Sequence, residues 1–262
     1  MLRYLRLLGI QLRASFTVAA QYRVEFLVSG VLSIFWTVLG IIPLLVLFQD
    51  RASVAGWSYP ESLVVIGWFG LVKGILEGAV NPSLTAVVEH IRKGTLDFVL
   101  LKPADAQFLV STTKFEPWRI VDVLAGGVII GIAFRLMGRT PTLSGIGLAA
   151  LVLASATVIL YSLWILVVSA AFFVVKVDNL SFLFLSLYDA ARWPADVFPF
   201  ALRTVFTYVI PLAVLTTFPA AALLGRIGPL EVAATAGGAA LFALAARLVW
   251  LRSIGHYTSA SS

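Results

Sequence analysis

Two long stretches of the sequence contain no charged residue, and they constrain the fold more than any other feature. Phe26–Gln49 runs for 24 residues and Thr140–Val175 for 36. A helix needs about 20 apolar residues to cross a hydrocarbon core about 30 Å thick. The whole chain is 60% hydrophobic and only 12% charged, whereas soluble domains carry about 25% charged residues. Such a chain cannot cover itself with polar surface, so we predict an all-α polytopic membrane protein.

Prolines and charged residues divide the chain into six predicted transmembrane helices within a single domain, residues 1–262. The predicted spans are 24–48, 61–80, 118–137, 146–175, 179–198 and 230–251. Residues 199–224 are nearly free of charge but contain Pro211 and Pro219, with Phe218 beside the second proline. We predict a re-entrant extracellular hairpin there, because broken backbone survives at membrane depth only under cover from protein or a water-filled cavity.

The distribution of Lys and Arg orients these spans. Cytoplasmic loops of membrane proteins are enriched in both residues. Six spans with both termini in the cytoplasm bring most of the basic residues to that side, and Arg192 then falls near the outer boundary. The first apolar stretch is longer than the core of a signal peptide, which has about 7–15 residues, so we interpret it as a retained span.

Residues 1–22 are predicted to form an interfacial helix. One side of this helix carries the apolar residues Leu5, Leu8, Leu12 and Phe16. The arginines toward the other side are Arg3, Arg6 and Arg13. A helix of this kind lies in the headgroup plane and places its arginines on anionic membrane lipid. The alternative is a basic flank that only sets the topology.

One polar island, residues 82–117, interrupts the apolar sequence and is predicted to be a cytoplasmic coupling region. Its first half spaces apolar residues as on one face of a helix. Gly94 is expected to end that helix in the left-handed conformation, and Thr95 to cap a second short helix. The apolar stripes must bury against a partner protein, or against lipid or the chain itself. The predicted docking residues are Leu84, Val87, Val88, Glu89, His90, Ile91, Arg92, Lys93 and Gly94.

Three of the charged residues within the predicted spans are candidates for a gate or a pathway. Lys73 and Glu77 are four residues apart and can pair on one helix face. Unpaired, each would cost about 2.5–3.5 kcal/mol at the bilayer centre. They form either a gate or polar lining of a pathway, or a self-neutralised pair near the cytoplasmic end. Asp122 begins its span near the interface and is the third candidate. Gly126, Gly127 and Gly131 permit close approach of another helix.

Several chemistries lack the residues they require. The sequence has no GxxxxGK[ST] phosphate loop, no cysteine and only two histidines, which are far apart. We therefore predict no catalytic residue, no metal site and no cofactor bound by this chain, so it is not an enzyme by itself. The basic excess is assigned to topology, which excludes a nucleic-acid partner. Two alternatives stay open: an integral-membrane lipid-acting enzyme that uses Lys73, Glu77 and Asp122, or a non-catalytic membrane scaffold.

Two segments carry a resemblance to a known family. Residues Ile91–Pro103, IRKGTLDFVLLKP, are similar to the I-R-x-G-T-L-D-x-x-L-L-x-P stretch of small bacterial ABC permeases. Residues Phe206–Gly225, FTYVIPLAVLTTFPAAALLG, resemble the proline-containing stretch before the last span of those permeases. With its six-span order, the chain resembles the permease (transmembrane) subunit of a bacterial type-2 ABC exporter of the small six-span subfamily.

This resemblance implies a function. It implies a dimer, with an identical or a sister permease subunit, that forms the substrate pathway in the bacterial cytoplasmic (inner) membrane. A separate cytosolic ABC ATPase holds ATP and Mg and docks on a coupling helix in the polar island. Export is the implied direction, and the likeness does not select a substrate.

Overall fold

The computed structural model describes residues 2–173 and 185–257, and this part of the chain is helical apart from turns and one isolated bridge between Val54 and Trp57. Four of its helices are long and apolar enough to cross a membrane. They are Phe26–Leu47, Tyr59–Arg92, Leu143–Ala170 and Pro229–Ile254. The prediction of a polytopic helical membrane protein is confirmed at this level, and the number of six spans stays a prediction.

The helices follow the predicted order with shifted ends. The predicted span 118–137 corresponds to a helix of 17 residues, which is about 26 Å long at 1.5 Å per residue. The helices, numbered along the chain, are α1 (Leu2–Gln21), α2 (Arg23–Leu47), α3 (Tyr59–Ile75), α4 (Asn81–Arg92), α5 (Asp97–Leu100), α6 (Ala106–Ser111), α7 (Ile120–Leu136), α8 (Leu143–Ala170), α9 (Phe200–Thr204), α10 (Leu212–Leu215), α11 (Thr217–Leu223) and α12 (Pro229–Ile254).

Helices α3 and α4 form one continuous rod, although the sequence predicted a break between span and coupling region near residue 80. A single π-helical turn, Leu76–Val80, joins them. Pro82 lies in the first turn of α4, directly after the π turn, and has no N–H to donate to the carbonyls of that turn. The backbone N–H of Glu116 donates to the carbonyl of Gly78 at 2.8 Å, so part of the π turn is bonded to the chain before α7.

Helices α3 and α7 cross at backbone contact. A Cβ atom on Gly126 would lie 2.5 Å from the carbonyl oxygen of Gly67, and one on Gly74 would lie 2.5 Å from the side chain of Val123. Among the three glycines predicted to allow close approach, Gly126 lies in this contact. Gly127 and Gly131 do not, because nothing lies within 4 Å of their Cβ positions.

Helix α8 packs along α12 and lies against the hairpin region. Trp164 of α8 and Trp250 of α12 are fully buried in the same apolar core. A second core lies toward the beginning of α3 and includes Trp57 and Leu63. Trp57, Trp164 and Trp250 are therefore packing residues, whereas Trp36 of α2 is exposed.

Residues 185–224 differ in part from the prediction. Of the predicted span 179–198, residues 179–184 lie outside the described residues. Residues 185–189 are helical, but only two 3-10 turns, Ala190–Arg192 and Ala195–Val197, follow. Pro194 and Pro199 explain the break, because the residue before each is extended and proline disfavours helix at that position.

The predicted hairpin is a chain of short helical pieces. Helix α9 and a π turn end at Ile210, and α10 and α11 follow Pro211 with a second break at Thr216. The Thr216 hydroxyl donates to the carbonyl of Ala191 at 2.6 Å, which ties the break to the preceding segment. Pro219 is buried and Phe218 packs against both apolar cores. The part from Pro211 to Leu224 is therefore covered by protein, whereas Phe200 and Tyr208 before it are 77% and 78% exposed. The re-entrant hairpin stays a prediction.

The bundle has two chemically distinct ends. At the Trp57 end, defined by the starts of α3, α8 and α12, Glu61 pairs with Arg226 at 2.7 Å and with Arg139 at 3.7 Å. At the α1 end, defined by α1, α5 and α6, the backbone N–H of Phe115 donates to Ser15 of α1 at 3.1 Å. Helix α1 therefore lies against residues 103–118.

Candidate functional site

A cavity of about 420 Å³ lies between α2, α3, the start of α7 and residues 189–192. All three charged residues that the sequence singled out, Lys73, Glu77 and Asp122, line it. Exposed Trp36 and Pro43 of α2 also line it, so the cavity reaches the lateral surface of the bundle. Its volume falls in the range of about 300–1,000 Å³ that is usual for small-molecule sites.

Arg119 organises the acidic wall of this cavity. Its guanidinium forms an ion pair with Glu77, lies 3.3 Å from Asp122 and 3.9 Å from Glu116, and stacks on Trp118 at 3.8 Å. The predicted pair between Lys73 and Glu77 is therefore not the one formed. The reason is geometric, because Glu77 lies in the π turn, where the widened helix no longer keeps the i, i+4 spacing of an α-helix.

Asp122 is only 2% exposed, so its carboxylate is inside the protein and not at its edge. The hydroxyl of Ser33 of α2 donates to it, while Arg119 approaches from the other side. The prediction that Asp122 lies near an interface missed this burial. The three-residue spacing of Arg119 and Asp122 could have indicated their ion pair. Nothing in the sequence indicated the hydrogen bond from Ser33.

Lys73 and Arg192 supply the basic side of the cavity. Within the described ranges Lys73 has no ion pair or hydrogen bond. The guanidinium of Arg192 lies 5.2 Å from the ring of Phe69 and 3.6 Å from Asp189. Arg192 therefore lies level with the middle of α3, and its position near the outer boundary stays a prediction.

The corner after α4 has the predicted backbone. Gly94 has φ +65°, and the N–H of Thr95 donates to the carbonyl of His90 at 2.9 Å, which together form a Schellman end. Thr95 does not cap the next helix as expected. Its hydroxyl instead bonds the ring of His90 at 2.8 Å, and Leu96 precedes α5.

The apolar face of α4 points into the protein. Leu84, Val87 and Val88 have exposed fractions of 0%, 1% and 5%, and half-buried Ile91 packs on the same core. Three of the nine predicted docking residues are therefore inaccessible to a partner, and the alternative of packing within the chain is correct for them. Their apolar character reflects burial in the chain's own core.

The accessible surface of the corner is partly charged. Glu89 and Lys93 pair at 2.8 Å and are exposed together with Arg92. Beyond Gly94, Phe98 is 70% exposed and Leu101 is 81% exposed. Neither residue is among the nine docking residues predicted from the sequence.

A family model described as ABC-2 family transporter protein matches residues 34–261. The chain belongs to this family. The match confirms the sequence-based resemblance to type-2 ABC permeases, and ABC-2 membership identifies a membrane transport component. No curated protein and no solved structure matches the chain significantly.

A second polar cluster of this ABC-2 family protein lies at the α1 end, and we name it the clamp. It consists of Asp105, Gln107, Ser111, Tyr161 and Arg247. The guanidinium of Arg247 donates to both carboxylate oxygens of Asp105, at 3.2 and 2.6 Å. Partial burial would raise the pKa of Asp105, but these bonds and a backbone N–H from Phe108 hold the pKa below its ordinary value.

Proposed function

We propose that this chain is the permease subunit of an ATP-driven ABC exporter, works as a dimer and couples to a separate cytosolic ATPase that binds ATP and Mg. One observation carries the proposal. The continuous rod of α3 and α4 runs from the cavity, where it presents Lys73 and Glu77, to the exposed corner at Gly94. A partner that moves the corner therefore moves two charged residues of the cavity wall.

In this proposal the α1 end faces the cytoplasm of a bacterial cell and both termini lie there. The three-sided character of α1 supports this orientation. Ser15 faces the protein, Leu5 and Phe16 stay exposed, and Arg6 and Arg13 are exposed beside them. Such a helix presents one side to protein, one to lipid and one to water and headgroups. The hairpin 199–224 then belongs to the extracellular half, and six spans satisfy the orientation.

The docking surface in this proposal is the exposed part of the corner: Glu89, Arg92, Lys93, Phe98 and Leu101. Interfaces gain most of their binding free energy from a few anchor residues that fill well-packed pockets from which water is excluded. Phe98 and Leu101 are exposed apolar side chains that suit such pockets, and Glu89, Arg92 and Lys93 lie before Gly94 on the same corner. The buried face of α4 supports the corner from within.

The lipid-acting enzyme is the weaker alternative. A general acid or base needs a carboxylate that is free to exchange a proton with the substrate. Glu77 and Asp122 share Arg119, and Asp122 also accepts from Ser33. These bonds suit residues that form a charged wall of the cavity and exchange partners when the helices move.

Purification of this chain from its own cells, followed by identification of any bound ATPase, tests the proposal. Leu101→Asp should reduce retention of the ATPase and ATP-dependent transport at least tenfold, because it places a charge on an apolar anchor. Leu143→Asp is the matched control, since Leu143 is an equally exposed leucine at the Trp57 end. The proposal is wrong if no ATPase copurifies with the wild type, or if both variants retain it equally.

A further inference from the structure

The clamp joins the proposed coupling region to α8 and α12, two helices that are distant from this region along the chain. Along the chain, α4 continues α3, and α6 leads into α7. Helices α8 and α12 come later, yet Tyr161 and Arg247 from these helices both contact the start of α6. We propose that Arg247 is a positioning residue that transmits movement of the α4–α6 region to α12 and α8. This inference rests on the proposed function, because a docked ATPase supplies the movement.

The geometry at Arg247 suits transmission. Its guanidinium holds Asp105 with two parallel bonds and donates a further bond to the side-chain oxygen of Gln107 at 2.8 Å. A bidentate arginine–carboxylate pair fixes orientation as well as distance. The first turn of α6 therefore cannot rotate or slide against α12 without breaking several bonds at once.

The connection extends from α6 to α8 through a tyrosine. The amide nitrogen of Gln107 donates to the hydroxyl of Tyr161 at 3.0 Å, and the Ser111 hydroxyl lies 2.8 Å from the same oxygen. Gln107 thus bonds Arg247 with its oxygen and Tyr161 with its nitrogen. One side chain of α6 thereby joins α12 to α8.

Helix α1 holds the other side of the same segment. The hydroxyl of Tyr4 accepts from the backbone N–H of Asp105 at 3.2 Å, and its ring packs edge-on against Phe108 at 4.8 Å. Arg3 also donates to the carbonyl of Pro103. The segment is therefore fixed from three directions. Among these residues, Arg247 is the one that bonds the segment to α12.

Distance measurements with spin labels test the proposal. The chain has no cysteine, so introduced cysteines carry labels without background. One label goes on exposed Val31 of α2 as a reference. The second goes either on exposed Thr85 of α4 or on exposed Leu248 of α12. Both distances are measured by pulsed electron paramagnetic resonance in the complex with the copurified ATPase, before and after trapping with ATP and vanadate.

We expect both distances to change on trapping in the wild-type background. In Arg247→Gln, the distance to α4 should change as before, whereas the change in the distance to α12 should fall by at least half. Arg247→Lys should give an intermediate loss, since lysine keeps the charge but not the fork. Arg252→Gln is the matched control, because it removes an exposed arginine from the same helix. Melting temperatures of all complexes show that each variant is folded.

The outcomes separate the clamp from the proposed function. An unchanged α12 response in Arg247→Gln overturns the proposal. Equal loss of the α4 and α12 responses also overturns it, because Arg247 would then serve assembly only. The same α12 loss in Arg252→Gln overturns it as well. If trapping changes neither distance in the wild-type background, the ATPase-driven exporter is the idea that fails.

Discussion

Replacing Gly126 with alanine should weaken the contact between α3 and α7. The new methyl group would lie 2.5 Å from the carbonyl oxygen of Gly67 and 2.9 Å from the backbone nitrogen of Leu71. Both are helix backbone atoms, so no side chain can rotate away and the helices must separate. Overpacking costs about 1–3 kcal/mol, and backbone contact places this site at the upper end. Alanine returns about 1 kcal/mol of helix propensity, which leaves a net loss of about 2 kcal/mol.

Thermal unfolding of the purified protein in one detergent measures this loss. A net loss of about 2 kcal/mol corresponds to a melting temperature lower by roughly 4–8 °C for a chain of this size. Gly127→Ala is the matched control, because it is the next residue and nothing lies within 4 Å of its Cβ position. The control should melt at or above the wild-type temperature. Equal melting of the two variants would refute the argument that backbone contact at Gly126 holds these helices together.

Three further perturbations test the site. Gly94→Ala should cost about 1–2 kcal/mol, because alanine is strained in the left-handed conformation, and it should reduce ATPase retention in copurification. Arg119→Gln leaves Glu77 without its ion pair. Because both side chains are about one-fifth exposed, we expect the free energy of unfolding to fall by about 3 kcal/mol, the lower limit for breaking a buried pair. Thermal unfolding measures this loss. The folded-state pKa of Asp105 lies below its ordinary value, so the stability it contributes is present above about pH 3.9 and is lost as the pH falls through the folded pKa. The difference in melting temperature between wild type and Arg247→Gln should therefore shrink in acid.

Each of these predictions has a contrary outcome. Wild-type stability and ATPase retention in Gly94→Ala would show that the corner tolerates a side chain. Lys114→Gln is the control for Arg119→Gln, since Lys114 is exposed and only loosely paired; such surface changes stay within about 0.5 kcal/mol. Equal effects of these two substitutions would contradict the role of Arg119. A pH-independent difference between wild type and Arg247→Gln would remove Asp105 as the cause.

The class of fold followed from the sequence because the cost of burying charge in lipid leaves few alternatives. Charge-free runs located α2 and α8, and the glycine after Arg92 and Lys93 located the corner. Those signals are local, since they depend on residues that are near one another in the chain. The break near Trp193 was predictable in principle from Pro194, but the prediction kept residues 179–198 as one span because two spans in this region would leave almost no residues to connect them.

The pairing of charges could not be predicted, because partners come from distant parts of the chain. Lys73 and Glu77 have the spacing of a pair, yet Arg119 takes Glu77 once the π turn changes the local geometry. Arg247 and Asp105 are far apart in sequence, and nothing local connects them. The direction of the apolar face of α4 was likewise ambiguous, because amphipathic spacing does not say whether a partner or the chain itself covers that face.

The π turn at Leu76–Val80 sets the angular phase between the two halves of the rod. One residue more or fewer in that turn rotates everything after it by roughly 100° about the helix axis. The inward orientation of Leu84 and Val88 thus depends on a local irregularity five residues long. An insertion or deletion in this turn would rotate the apolar face of α4 toward water, even if the inserted or deleted residue were itself apolar. A change between π and α geometry in the turn would rotate the corner at Gly94 about the helix axis.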